Sequence, residues 1–360
     1  MCLIASLLAA CQPKPVALTE QEAQHMKNLT DTMTPRCLGR YLIDLPASFV
    51  LNPIHPTKIE GVDIDVQPMK LAAFELAFET RQRELEAIML PGVADKRPHL
   101  RKVIPILRPS IGAVFDRSTS DVSSGRLGRT LELLAWRDGF QIKASIDATD
   151  TTFPEDANDS IAKQLRTDVP EKLAHLMNFF ERTRGLADGE VPAEQGVCIA
   201  NGFVRGPASE KEDVEISYQL KDAEDVYFTF HSMGDLKQEN ELLDRGAAIE
   251  ANLKTVEGRT LRKGSRKLEG LDAQEWLLTR KGEAVMLHDF TLEANSKTAS
   301  ATTPVLILDF LNGVRVPHLP LTTEESATLK PLPNATLTEA ESVALWDAVT
   351  PSLRPRPGAF

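Results

Sequence analysis

The chain has 360 residues, more than one hydrophobic core commonly serves, which predicts two domains. Its 42% hydrophobic and 26% charged residues are those of a water-soluble protein, and no stretch approaches the ~20 apolar residues of a membrane span. A formal charge of −11, from 52 acidic and 41 basic residues, repels phosphate backbones and excludes nucleic acid as an expected partner. The same excess is compatible with a basic protein partner, but charge also serves plain solubility and selects nothing alone.

Leu3 to Ala10 is an apolar run ending in Leu8-Ala9-Ala10-Cys11, after which Gln12-Pro13-Lys14-Pro15 turns polar. This is a lipobox pattern: small residues suit the cleft of a lipoprotein signal peptidase, and the Cys11 thiol is expected to take a diacylglycerol and begin the mature chain. No Lys or Arg precedes the run, which is shorter than the roughly 15–30 residues of a signal, so a start codon is expected upstream. A buried N-terminal strand is the alternative, opposed by the Pro-containing tether. The expected location is the periplasm, with membrane contact only through that lipid anchor, and Gln12 in place of Asp favours the outer membrane.

Once Cys2 is removed and Cys11 acylated, Cys37 and Cys198 remain. In an oxidising compartment such a pair is a disulfide candidate, and two buried free thiols are the alternative.

Thr19 and Glu22 have the spacing of a capping box, predicting a short helix. Arg36 to Pro46 reads as a strand closed by proline, Gly61 to Val66 alternates as a strand, and Lys70 to Leu90 carries Leu71, Phe74, Phe78, Leu85 and Ile88 at helical spacing. Leu131 to Trp136 and Phe140 to Ile146, joined by Asp138-Gly139, read as a hairpin. Ile161, Leu165, Val169, Leu176 and Phe180 then predict a helix kinked or broken at Pro170.

After a polar stretch at Ala187 to Pro192 the order restarts at Gly196. Asp213 to Leu220 and Val226 to His231 are predicted strands, and Leu242, Ile249 and Leu253 line a helix. Glu275 to Thr279 and Ala284 to Leu292 form a hairpin about Lys281-Gly282. A strand at Val305 to Phe310 and a helix capped by Thr338 and Glu341, carrying Val343, Trp346 and Val349, complete the second half. The expected fold is α+β: two tandem, structurally similar domains with mainly antiparallel sheets packed by helices, each with its own core. The expected division is 1–10 signal, 11–33 lipidated tether and short helix, 34–188 N-terminal domain, 189–354 C-terminal domain and 355–360 tail.

No catalytic residue is assigned. Gly-x-Ser-x-Gly is absent, and Phe230-His231-Ser232-Met233-Gly234 places a bulky Phe at the first glycine. The seven histidines show no metal-ligand spacing, so no metal or cofactor is expected. Asp63 and Asp65 share a strand face and could hold calcium or act as an acid/base pair, but the solvated side of a half-buried strand is the expectation. Gly125-Arg126-Leu127-Gly128-Arg129 lacks the Lys-Ser/Thr ending of a phosphate loop and reads as a turn. Glu210-Lys211-Glu212-Asp213 reads as a solvated loop, with steering of a basic partner as the alternative. Trp136, Trp276 and Trp346 are expected in the cores.

Through Arg36-Cys37-Leu38-Gly39-Arg40-Tyr41-Leu42-Ile43-Asp44-Leu45-Pro46, Gly196-Val197-Cys198-Ile199 and Asp289-Phe290-Thr291-Leu292-Glu293-Ala294, the chain resembles two-domain immunity proteins against the fourth class of type VI secretion phospholipase effectors. The likeness spans about residues 34 to 352, and these motifs are structural, so no contact residue carries over. It implies a periplasmic protein that binds an incoming lipase, encoded by the adjacent gene, and covers its substrate entrance or holds its cap. Such an inhibitor is expected to present aromatic or Arg anchors. The competing reading is a periplasmic lipoprotein that binds or chaperones a lipid or envelope component. An apolar cavity between the domains would favour that reading.

Overall fold

The computed structural model describes residues 17–52, 57–90, 97–120, 127–152, 160–282, 284–315 and 332–360. Cys11 and the rest of the lipobox, together with Gly125 and Arg126, lie outside the described residues. The first half runs α1 (Glu20–Thr30), β1 (Met33–Leu38), β2 (Tyr41–Pro46), β3 (Phe49–Asn52), β4 (Thr57–Ile59), β5 (Val62–Pro68), α2 (Leu71–Ala87), β6 (Met89–Leu90), β7 (Arg97–Pro98), β8 (Leu100–Pro105), β9 (Ile111–Ser118), β10 (Gly128–Arg137), β11 (Phe140–Thr149), α3 (Val169–Arg182) and β12 (Thr183–Gly185). The second runs β13 (Gly196–Ile199), β14 (Gly202–Arg205), β15 (Glu212–Leu220), β16 (Val226–Met233), α4 (Gly246–Thr255), β17 (Arg259–Leu268), β18 (Leu271–Lys281), β19 (Met286–Ala294), β20 (Val305–Asn312), α5 (Glu339–Val349) and β21 (Arg354–Pro355).

The fold is α+β and antiparallel, and the large sheet repeats one topology in both halves, β3 and the β6–β7 pair being additions of the first. A 13-stranded sheet runs β17-β18-β19-β20-β16-β15-β4-β5-β11-β10-β9-β8, with β3 also on β15. Each half contributes a hairpin and a four-strand meander with a helix between them. The halves join edge to edge where β15 pairs antiparallel with β4, Asp213 opposite Lys58. Open strand edges attract unwanted pairing, and this junction removes one from each half.

The two small sheets exchange strands. The hairpin β1–β2 is completed by β21 from the end of the second half, Tyr41 opposite Pro355. The hairpin β13–β14 is completed by β12 from the end of the first, Thr183 opposite Val204. The expected boundary at residues 188/189 therefore separates the halves in sequence and not in space. The run Arg36 to Pro46 is correspondingly two strands, because Gly39 takes a left-handed φ of 59° and turns the chain. Gly39 and Cys198 exchange two backbone hydrogen bonds of 3.1 and 2.8 Å, and Cys37 and Cys198 are disulfide-bonded with their Cα atoms 5.8 Å apart.

Two separate cores were expected. One main core instead spans both halves, from Ile64, Leu131 and Phe180 to Phe228, Phe290 and Trp346, because the shared sheet offers one continuous apolar face. A smaller cluster packs α2, through Phe74, Phe78 and Leu85, on Phe115, Leu134 and Trp136 across the other face. Residues 355–360, expected as a tail, are tied down. Arg356 donates to the Pro192 and Glu194 carbonyls at 2.6 and 2.8 Å, and Phe360 meets Tyr41 edge-on at 5.7 Å between ring centres.

The helix predicted across Ile161 to Phe180 begins only at Val169. Pro170 starts it rather than kinking it, since a first-turn residue needs no amide hydrogen. Ile161 and Leu165 stay outside, 61% and 45% exposed. Both predicted capping boxes form, and they meet. Thr338 caps α5 and donates to Glu22 at 2.6 Å, while His25 of α1 lies 2.7 Å from Glu341. Thr338→Ala is expected to lower stability by about 1 kcal/mol, measured as a fall in the urea midpoint at unchanged slope.

Candidate functional site

Strand register decides what shares the sheet's second face, the one opposite the main core. Lys58 lies opposite both Asp63 and Asp213, Glu215 opposite His231, and Thr229 opposite Asp309, which in turn faces Thr291. Toward the other edge Asp65 lies opposite Lys143 and Glu132 opposite Ser145. The helix α2 covers this face over β9 and β10, and α4 covers it over β17 and β18, with Gly246 beside Trp276. Between them, among the described residues, no helix covers the outward side chains of β11, β5, β4, β15, β16 and β20. At about 4.8 Å per strand that opening is roughly 25 Å across.

Carboxylates dominate it. Burial pushes the Asp309 carboxyl up to about 6; a 2.6 Å hydrogen bond from Thr291 opposes this, and the charges of Asp289, Glu215 and Glu293 add to it. Burial also raises Asp289, with Arg280 opposing. Burial works against a charged His231, but its 2.6 Å bond to Asp213 and the nearby carboxylates outweigh that and raise its pKa. A carboxyl whose folded pKa exceeds its unfolded value opposes folding where it is ionised. The Asp309 cost is therefore complete above about pH 6 and absent below about pH 4. Asp309→Asn is expected to stabilise the protein by about 1–2 kcal/mol at about pH 8, and urea unfolding at about pH 4 should show the gain gone.

Beside each covering helix the face deepens into a groove. The one along α2 has a volume of about 730 Å³, with Ala73, Leu76 and Ala77 on the helix side and Asp63, Asp65, Gln141 and Lys143 on the sheet side. Glu132 in its wall is gripped by Arg81 at 2.7 and 2.9 Å and by Arg117 at 2.7 Å. Burial alone would raise the Glu132 pKa, and these two guanidinium groups bring it below the ordinary value. The groove along α4, about 650 Å³, is lined by Ile249, Leu253 and Leu278 with Asp289 and Arg280.

Other sequence candidates resolve individually. Asp63 and Asp65 do share the outward face of β5; Asp63 pairs with Lys58 at 3.3 Å and Asp65 accepts from Gln67 at 3.0 Å. Among the described residues no group of three or more His, Cys, Asp or Glu side chains is placed to hold a metal. Ser232 is buried on the core side of β16, beside Gly39, while its neighbour His231 faces the other way, so the two cannot act as nucleophile and base. The run Glu210 to Asp213 is not simply a solvated loop: Glu212 begins β15 and is buried against Arg40 at 2.7 Å. The three indoles donate inward, Trp136 to Met69, Trp276 to Thr260 and Trp346 to Glu275. No described Phe, Trp or Tyr is among the exposed large hydrophobics, which are aliphatic residues and methionines with Leu76 and Leu107 foremost; Phe78, Trp136, Phe140 and Phe360 are partly exposed. Leu76, Gln141 and Asp309 were not singled out from sequence; their signal is position, each on the outward side of an element whose other side is core.

Fold and face define a class: a duplicated, disulfide-linked α+β protein whose open feature is a broad, charged sheet face. Residues 34–185 match the family model for the Tle cognate immunity protein 4 N-terminal domain, and residues 190–358 that for the C-terminal domain. The chain belongs to the Tle cognate immunity protein 4 family, a family of type VI secretion immunity proteins and not of enzymes. A chain of the crystal structure of a Tle4-Tli4 complex is similar at 20% identity and TM-score 0.66, over 92% of this chain and 99% of that one. The apo structure of the immunity protein TplEi from Pseudomonas aeruginosa is similar at 20% identity and TM-score 0.64, over 91% and 98%. The same protein complexed with an "L" peptide gives 19% and 0.58, over 90% and 98%. No curated protein sequence matches the chain.

Proposed function

We propose that this chain is a periplasmic lipoprotein, acylated at Cys11, that binds the type VI phospholipase effector encoded beside it and blocks its activity in the producing cell and its sisters. The observation that carries this reading is the match of both halves, 34–185 and 190–358, to the two domains of one immunity family. The Cys37–Cys198 disulfide supports an oxidising compartment. A two-half body locked by exchanged strands supports the role physically, since a preorganised surface loses little conformational entropy on binding. The lipid-carrier reading calls for an apolar cavity between the halves. That junction instead holds the disulfide and the Arg40–Glu212 pair, and four carboxylates, Asp63, Asp65, Glu84 and Glu132, line the groove along α2. The mature body, residues 12–360, mixed with the adjacent gene's product, should elute as one complex in size-exclusion chromatography. Separate elution at micromolar concentrations would remove the proposal.

A further inference from the structure

The Cys37–Cys198 bond is closed off by the segment that joins the two halves. Cys198 is fully buried and Cys37 is 8% exposed. Leu186, the first residue after β12, packs with Leu42 and Phe203 in one cluster with the two cysteines, and its amide donates to the Asn201 carbonyl at 2.8 Å. The chain then crosses beside Cys37 at Ala187 to Glu190, turning at Gly189 with a left-handed φ of 84°. The recess left between this crossing and Cys37 has a volume of about 20 Å³. Such a space holds about one water and no thiol reagent.

Asp188 fastens the crossing. Its two carboxylate oxygens accept separately, Oδ2 from Arg36 at 2.8 Å and Oδ1 from the Tyr218 hydroxyl at 2.8 Å. Both partners are themselves held. Arg36 also donates to the Phe49 carbonyl at 3.2 Å and lies over the Tyr218 ring at 5.4 Å. Burial raises the Tyr218 hydroxyl well above its ordinary pKa, so it stays a donor. Ala187, Asp188 and Glu190 are at the surface, and the backbone bond of the crossing, Glu190 to the Ala187 carbonyl at 3.0 Å, lies within it. The crossing can therefore lift without breaking a strand.

We propose that residues 186–190 form a strap that shuts over the Cys37–Cys198 bond and guards it from thiols, with Asp188 as its clasp. The bond forms while the strap is open, and the strap fastens last. Reduction takes the reverse route. A dithiol enters through the lifted strap, and its thiolate attacks the more accessible Cys37 sulfur and expels Cys198 as a thiolate. Its second thiol then closes the reagent's own disulfide and frees Cys37, so that two electrons and two protons pass to the protein. The inference is independent of what the chain binds.

The test is the rate at which dithiothreitol reduces the oxidised mature body, read by alkylating the freed thiols. Residues 12–360 hold no cysteine besides these two. Asp188→Ala should be reduced about tenfold faster than wild type without urea, the scale of one charge-assisted clasp. Asp272→Ala, which removes an exposed ion pair with Lys267 on the β17–β18 hairpin, should match wild type. Wild-type and Asp188→Ala rates should change little with urea below the unfolding midpoint, the mark of local lifting. Should Asp188→Ala not fold, Tyr218→Phe removes one bond of the clasp and keeps the ring, and a gain of about threefold is expected. A wild-type rate in the folded clasp variant overturns the strap. So does a rate that climbs with urea as steeply as unfolding itself, since reductant would then reach the bond only through the unfolded chain.

Discussion

Replacing Cys37 and Cys198 with serine lowers the stability of the folded chain by roughly 5 kcal/mol. The bond closes a loop between positions 161 apart in sequence, and the chain entropy that such a loop removes from the unfolded state sets this scale. The loop spans most of the first half and enters the second, so the cross-link ties together the two hairpins, each of which takes its third strand from the other half of the chain. Urea unfolding of the oxidised wild type and the double serine variant measures the difference. Coincident midpoints would show that strand exchange alone holds the hairpins together.

Arg40→Ala is expected to cost about 3–5 kcal/mol, the range for removing one partner of a buried ion pair. Arg40 sits in the β1–β2 turn, 3% exposed, and grips Glu212 of β15 through two bonds of 2.9 and 2.7 Å. Its guanidinium also reaches the carbonyls of Gly206, Pro207 and Ala359, so one side chain joins the first hairpin, the second half and the chain end. The variant leaves the buried Glu212 carboxylate with only the Ser209 amide as a hydrogen-bond donor, while the Ala359 carbonyl keeps the Gly196 amide and the Gly206 and Pro207 carbonyls lie toward solvent. Arg40→Met combined with Glu212→Leu should recover part of the loss, because the lone charge disappears while the bonds to the three carbonyls are not restored. A single variant within about 1 kcal/mol of wild type would mean that water enters the site and solvates Glu212.

What was legible in the sequence was local. Alternation located β5, β15, β16 and β20, the Asp-Gly turn located β10–β11, and the threonine–glutamate spacings located α1 and α5. Each is a signal carried within a few residues by backbone periodicity or cap chemistry. The restart at Gly196 was legible for the same reason, as repeated local order. What remained hidden was which half each strand joins. The residues of β12 and β21 look like the ends of their own halves, and only three-dimensional pairing shows them exchanged. Glu212 lay in a charged run that reads as solvated, and its burial depends on Arg40, distant in sequence. Gln141 was one polar position in an alternating strand, indistinguishable locally from its exposed neighbour Lys143. Asp63 and Asp65 were correctly expected on the solvated side of a strand, but the face they share with Asp213, Glu215 and Asp309 follows only from register across several strands.

The most direct test is a titration of the effector's phospholipase activity on phospholipid vesicles with the mature body of this chain. Activity should fall in a straight line and reach background at one equivalent, as for a tight stoichiometric inhibitor. Full activity in the presence of about a tenfold excess would contradict the immunity role.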